Sequence, residues 1–105
     1  MISFKVKIAK VERQFNESID EQWIIQQINR RRAEGQSPCV RVTIDGADLN
    51  MILSTPNCPK NNLSTRPARP HEKEIIEIWN KHGLNDENFT GNNMITFFQQ
   101  LNHLY

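Results

Sequence analysis

The chain has 105 residues, enough for one hydrophobic core but not two, and is expected to form a single domain over residues 1–105. Thirteen Lys and Arg against twelve Asp and Glu leave a formal charge of +1, which excludes a strong long-range field for nucleic acid or an anionic membrane, so such a partner would need a local patch. No apolar run approaches the ~18 residues of a membrane-spanning helix, and no membrane partner is expected.

Ile2, Phe4, Val6 and Ile8 alternate with Ser3, Lys5, Lys7 and Ala9, the pattern of a half-buried strand. Ser18 and Glu21 then have capping-box spacing, and Ile19, Trp23, Ile24 and Ile28 recur at helical intervals until Gly35, which predicts a helix from about Ile19 to Glu34. After Pro38, the residues Val40, Val42 and Ile44 alternate with polar neighbours up to Asp45-Gly46, a dipeptide suited to a tight turn, and Leu49, Met51 and Leu53 answer on the far side. With Asp45 and Gly46 at the centre of the turn, Ile44 faces Ala47, Val42 faces Leu49 and Val40 faces Met51. A four-residue loop ending at Asp48 keeps the same parity, so the register is open although the core face is not.

From Thr55 to Pro70 stand four prolines, three asparagines and one apolar residue of any size, Leu63, a composition that predicts an extended, mobile loop, long enough to be either functional or simply tolerated. Pro70 suits the first turn of a second helix, with Glu72 and Glu74 at its positive end, Ile75, Ile76, Ile78 and Trp79 on its apolar side, and Gly83 closing it so that Leu84 packs back. Asn92 is placed to cap a last helix. Its residues Met94, Ile95, Phe97, Phe98, Leu101 and Leu104, with Tyr105, form an apolar stripe broader than one side of a small sheet readily covers.

The predicted fold is therefore α+β, in the order β-α-β-β-loop-α-α. A small antiparallel sheet, built from the N-terminal strand and the Asp45-Gly46 hairpin, is packed on one face by helices. The expected core comprises Phe4, Val6, Ile8, Trp23, Ile24, Ile28, Val40, Val42, Ile44, Leu49, Met51, Leu53, Ile75, Ile76, Trp79, Leu84, Ile95, Phe98 and Leu101.

Cys39 and Cys58 are too few for a disulfide scaffold, and the alternating N-terminus does not resemble a signal peptide; together these point to a reducing, cytoplasmic location. The glycosylation-type triplets beginning at Asn16, Asn62 and Asn88 carry no weight there. Cys39, Cys58, His71, His82 and His103 include no close pair of the kind a zinc site uses, so no metal is expected. Four isolated glycines offer no phosphate-binding loop, and no cofactor is expected. A nucleophilic Cys58 would need a basic neighbour, Lys60 or His71 being the candidates; an inert loop cysteine is the better reading, and no catalytic residue is assigned.

Arg30, Arg31 and Arg32 are the nucleic-acid candidates, joined by Arg66 and Arg69 in the loop. Three consecutive helical residues, however, fan over about 200°, and cations also complement a helix C-terminus. The favoured reading is a protein-interaction module that contacts another protein or a second copy through the 55–70 loop and the C-terminal helices. Its candidate residues are Leu63, Arg66, Arg69, Phe97 and Tyr105, with nucleic-acid binding as the alternative.

Overall fold

The structure, a computed structural model, describes residues 2–16, 18–46, 49–56, 58 and 70–104, with only the backbone of Pro70 and His71. Its elements are β1 (Ser3–Ile8), β2 (Val11–Phe15), α1 (Glu21–Ala33), β3 (Val40–Gly46), β4 (Leu49–Ser54), α2 (Pro70–Lys81) and α3 (Gly91–Leu104). The four strands form an antiparallel sheet in the order β2-β1-β3-β4. The α+β class is as expected, and the order gains a strand: β-β-α-β-β-α-α.

The added strand is β2, which pairs with β1 from Ile8↔Val11 to Phe4↔Phe15. The register leaves Ala9 and Lys10 as a two-residue turn, with Ala9 at φ 57°. A turn of this kind normally advertises itself with Asn-Gly or Asp-Gly, and Val11-Glu12-Arg13-Gln14-Phe15 lacks the apolar alternation of a half-buried strand. Only Phe15 of the five is buried. Because β2 and β3 both run antiparallel to β1, α1 carries the chain across β1 from one flank to the other.

The β3–β4 hairpin keeps its predicted parity but is shifted in register. Gly46 pairs with Leu49, Ile44 with Met51 and Val42 with Leu53, which moves each partner four positions from the Asp45-Gly46-centred pairing. The apolar residues still share one face, because any even shift preserves it.

Helix α1 starts later than Ser18 suggested. Asp20 is its cap, the carboxylate accepting from the Trp23 N–H at 3.1 Å. A carboxylate also attracts Arg13, whose guanidinium donates to Asp20 at 3.0 Å. Likewise α3 is capped by Thr90 rather than Asn92: the Asn93 N–H donates to Thr90 Oγ1 at 3.3 Å, and the Thr90 N–H donates back to Asn93 Oδ1 at 2.5 Å. Both α1 and α2 end as the glycines predict, with Gly35 and Gly83 at φ 73° and 75° and the following N–H groups reaching back five residues, Gln36 to Arg31 O and Leu84 to Trp79 O.

One face of the sheet is covered by the helices. Phe4, Val6, Ile8, Val40, Val42 and Ile44 are buried beneath them, and the ring of Phe4 lies 4.8 Å from Phe98. From there the aromatic contacts run through Phe97 at 5.7 Å to Trp79 at 5.0 Å, linking the sheet through α3 to α2. α3 packs directly on α1, and Gly91 makes this possible: a Cβ there would stand 2.9 Å from Ile25 Cγ1 and 3.0 Å from Ile25 Cα. The other face carries Lys5, Lys7, Glu12, Gln14, Asn50, Ile52 and Ser54, all exposed.

The core also takes in Ile2, Phe15, Ile78, Phe89, Met94 and Phe97, while Trp23, Met51 and Ile76 are half-buried at its margin. In α2, Glu72, which stands at the positive end of the helix, is 2% exposed. One correction follows, for α3. The apolar stripe of α3 is not surplus, since Met94, Ile95, Phe97, Phe98 and Leu101 are all buried within the chain and Leu104 alone of the stripe's described residues stays exposed, at 48%. The stripe is absorbed because α3 touches α1 and α2 on its flanks as well as the sheet beneath.

Candidate functional site

The end of the sheet where β3 begins and β4 ends carries the most constrained polar chemistry among the described residues. Thr55 directly follows β4 and is 2% exposed, although it is polar. Burial of a hydroxyl requires partners, and Thr55 has them: Oγ1 accepts from the Val40 N–H at 2.9 Å, and its own hydroxyl lies 3.4 Å from both Pro38 O and Val40 O. The Thr55 N–H donates to Val40 O at 3.0 Å. The sheet is thus closed one step beyond its last pair, Arg41↔Ser54.

Three residues further on, Cys58 is joined to Cys39 by a disulfide, with the two Cα atoms 4.8 Å apart. This overturns the reading of Cys58 as a free thiol: a sulfur already bonded to sulfur is neither an inert thiol nor a nucleophile. It also removes the argument from unpaired cysteines to a reducing compartment, because disulfides persist under oxidising conditions. What remains of that expectation is that no helix is long and apolar enough to cross a membrane. The pairing was concealed by the register. In the observed hairpin Cys39 lies opposite position 56, two residues from Cys58, whereas the Asp45-Gly46-centred turn sets it opposite Ile52.

Of the triplet Arg30, Arg31 and Arg32 proposed for nucleic acid, only Arg30 projects freely, its side chain 75% exposed and 3.6 Å from Glu34. Arg31 donates to Gln36 Oε1 and, at 3.4 Å, to Ser37 O. Arg32 donates to Glu87 O at 2.9 Å and lies over the Phe89 ring, 5.1 Å from its centroid. Two of the three therefore tie the end of α1 to the turns that follow α1 and precede α3. Of the interaction candidates, Phe97 is fully buried against Trp79 and Phe98 and cannot contact a partner, while Leu63, Arg66, Arg69 and Tyr105 lie outside the described residues, as does Lys60. No three described His, Cys, Asp or Glu residues gather to hold a metal, and His82 Nε2 is engaged with Gln100 Oε1 at 2.5 Å.

A second constellation escaped the sequence. Arg13 lies 5.6 Å from the Phe15 ring centroid and 5.7 Å from that of Trp23, and it pairs with Asp20 on the wall of an open groove lined also by Gln14, Asn16, Ser18 and Ile19. This arrangement fastens the outer strand to the start of α1. No protein-family model matches the chain, and no curated protein or solved structure is significantly similar to it.

Proposed function

We propose that the chain is a protein-interaction module whose contact element is the segment between Thr55 and Pro70. The observation that carries this reading is the anchored root of the segment. Thr55 is buried and held by Val40, Cys58 is covalently tied to Cys39, and twelve residues later, at Pro70, α2 begins. Residues presented from a fixed scaffold lose less freedom on binding than residues on an unanchored tail. From Pro56 to Pro70 the segment holds Lys60, Arg66 and Arg69 and no acidic residue, so an acidic protein surface is its complement. Leu63, Arg66 and Arg69 are the candidate contacts. Tyr105, next to the exposed Leu104, is the only part of the C-terminal contribution that this proposal keeps.

Nucleic acid is the weaker reading, since the bonds of Arg31 and Arg32 leave Arg30 alone of that triplet facing solvent. The test is affinity capture from the native lysate, with and without nuclease, using the wild type and a variant in which residues 59–69 are replaced by Gly and Ser and Cys58 is kept. The expected result is a captured protein that survives nuclease and falls at least tenfold with the variant. Capture abolished by nuclease would transfer the function to nucleic acid. Capture that ignores the replacement, or a blank in every arm, would remove the segment as the contact element.

A further inference from the structure

We infer that Cys39 and Cys58 form a reversible redox pair, reduced and re-formed without loss of the fold. The argument begins with what the disulfide does not hold. It lies outside Arg41↔Ser54, and the Thr55–Val40 hydrogen bonds at 3.0 and 2.9 Å close the sheet on its inner side. Neither cysteine belongs to the buried apolar cluster, so the bond is not itself part of the core.

The reduced state is also provided for. Cys58 Sγ stands 3.9 Å from Val40 O and 3.9 Å from Thr55 Oγ1. In the disulfide these are contacts, because the sulfur carries no proton. After reduction the same positions offer the Cys58 S–H two acceptors within sulfur hydrogen-bonding distance. Both cysteines are half-buried rather than enclosed, which leaves room for the in-line approach that thiol–disulfide exchange requires.

The reductant is a dithiol. Its thiolate attacks one cysteine sulfur, the protein S–S bond breaks, and the other sulfur leaves as a thiolate that takes up a proton. The second thiol of the reductant then displaces the first protein sulfur from the mixed disulfide. Two protein thiols and one oxidised dithiol result, with two electrons and two protons transferred to the protein. What changes is the point at which the chain leaves the sheet: Cys58 when oxidised, Thr55 when reduced. That this change alters partner binding rests on the interaction reading above; the redox behaviour itself does not.

The test titrates the purified full chain with dithiothreitol in native buffer, trapping thiols by alkylation and reading them by mass, while circular dichroism and amide hydrogen exchange follow the fold. Expected are two alkylated thiols in the reduced protein, retained slow exchange in β1 and β3, at least tenfold faster exchange at Cys58, and an intramolecular disulfide again once oxidised dithiothreitol replaces the reduced form and takes back the two electrons and two protons. A Cys39→Ser, Cys58→Ser double variant should match the reduced protein in both readouts. Loss of β1 and β3 protection on reduction, with an unfolded double variant, would make the bond a structural staple and overturn the inference. So would resistance to reduction without denaturant, or a purified protein that keeps two free thiols in air. None of these outcomes depends on a partner, so a blank capture experiment leaves this result intact.

Discussion

The two hairpins of the sheet are secured in different ways. In β3–β4, Val40, Val42 and Ile44 are completely buried, Leu49 and Leu53 answer them, and the open end is locked by Thr55 and the Cys39–Cys58 bond. In β1–β2, the inner strand is just as apolar, but four of the five residues of β2 are exposed, and the strand is held by Phe15 on Trp23 and by Arg13 against both rings and Asp20. Hydrophobic burial scales with area and is worth about 25 cal/mol per Å², whereas exposed ion pairs and ring contacts each contribute roughly 1 kcal/mol or less. The first hairpin to respond to perturbation should therefore be β1–β2, with β3–β4 giving way only when the whole domain does.

The largest expected effect comes from the covalent lock. In the chain-entropy view, a disulfide closing about 20 residues stabilises by about 3 kcal/mol by restricting the unfolded chain. Reduction, or the Cys39→Ser, Cys58→Ser double variant, should lower the unfolding free energy by that amount in urea melts. A chain of this size commonly has about 5–15 kcal/mol in hand, which is why the fold should survive. Thr55→Val should couple to the disulfide: it strands the buried Val40 N–H at a cost of about 1–3 kcal/mol. Since both act on the same end of the sheet, the double-mutant cycle should be non-additive by more than about 0.5 kcal/mol. An additive cycle would mean that the two ties are independent.

Gly91→Ala probes what lies above both hairpins. The added Cβ meets the Ile25 backbone as well as its side chain, so α3 must move off α1. Overpacking of this kind typically costs about 1–3 kcal/mol. Gly91 is the first residue of α3, outside the helix interior where alanine gains most over glycine, so propensity offsets little of that cost. A thermal melt reads it directly. An unchanged or raised midpoint would show that the close approach of the two helices is not required.

How far the sequence was legible follows the same division. Strands β1, β3 and β4 and all three helices are readable because their apolar residues alternate or recur, and Gly35, Gly83 and Pro70 mark boundaries by their backbone preferences. Strand β2 is not, because an edge strand held by Arg13 and Asp20 has no apolar period to detect. Nor could the site be assembled. The disulfide depends on a register that parity alone does not choose, and Phe97 looked free only while Trp79 of α2 was not known to lie against it. Arg31 and Arg32 illustrate the converse: a cationic run suggests a ligand until Gln36, Ser37 and Glu87 are seen to be its partners.

Arg13→Ala should separate the two hairpins cleanly. It removes two ring contacts and the 3.0 Å pair with Asp20, whose side chains are 48% and 42% exposed, so salt screening limits the sum to about 1 kcal/mol. The loss should appear as faster amide exchange in β2 with β3 and β4 unchanged. Arg13→Lys should recover only part of it, because an ammonium cannot lie flat on Phe15 and Trp23 while pairing with Asp20.

The smallest effect tests the same hairpin in the opposite direction. Ala9 holds φ at 57°, a left-handed conformation that an L side chain with a Cβ adopts at a cost of roughly 1–2 kcal/mol. Ala9→Gly removes that penalty but loses more backbone entropy on folding, by roughly 0.5–1 kcal/mol. The net is a gain of several tenths to about 1 kcal/mol. The Ala9 N–H bond to Cys39 O, at 3.5 Å, is retained because glycine keeps its donor. If the gain is confined to slower exchange in β2, the Ala9-Lys10 turn limits the outer hairpin. A gain that also protects β3 would mean that the contact between Ala9 and Cys39 couples the two hairpins, and that the distinction drawn between them is too sharp at this corner of the sheet.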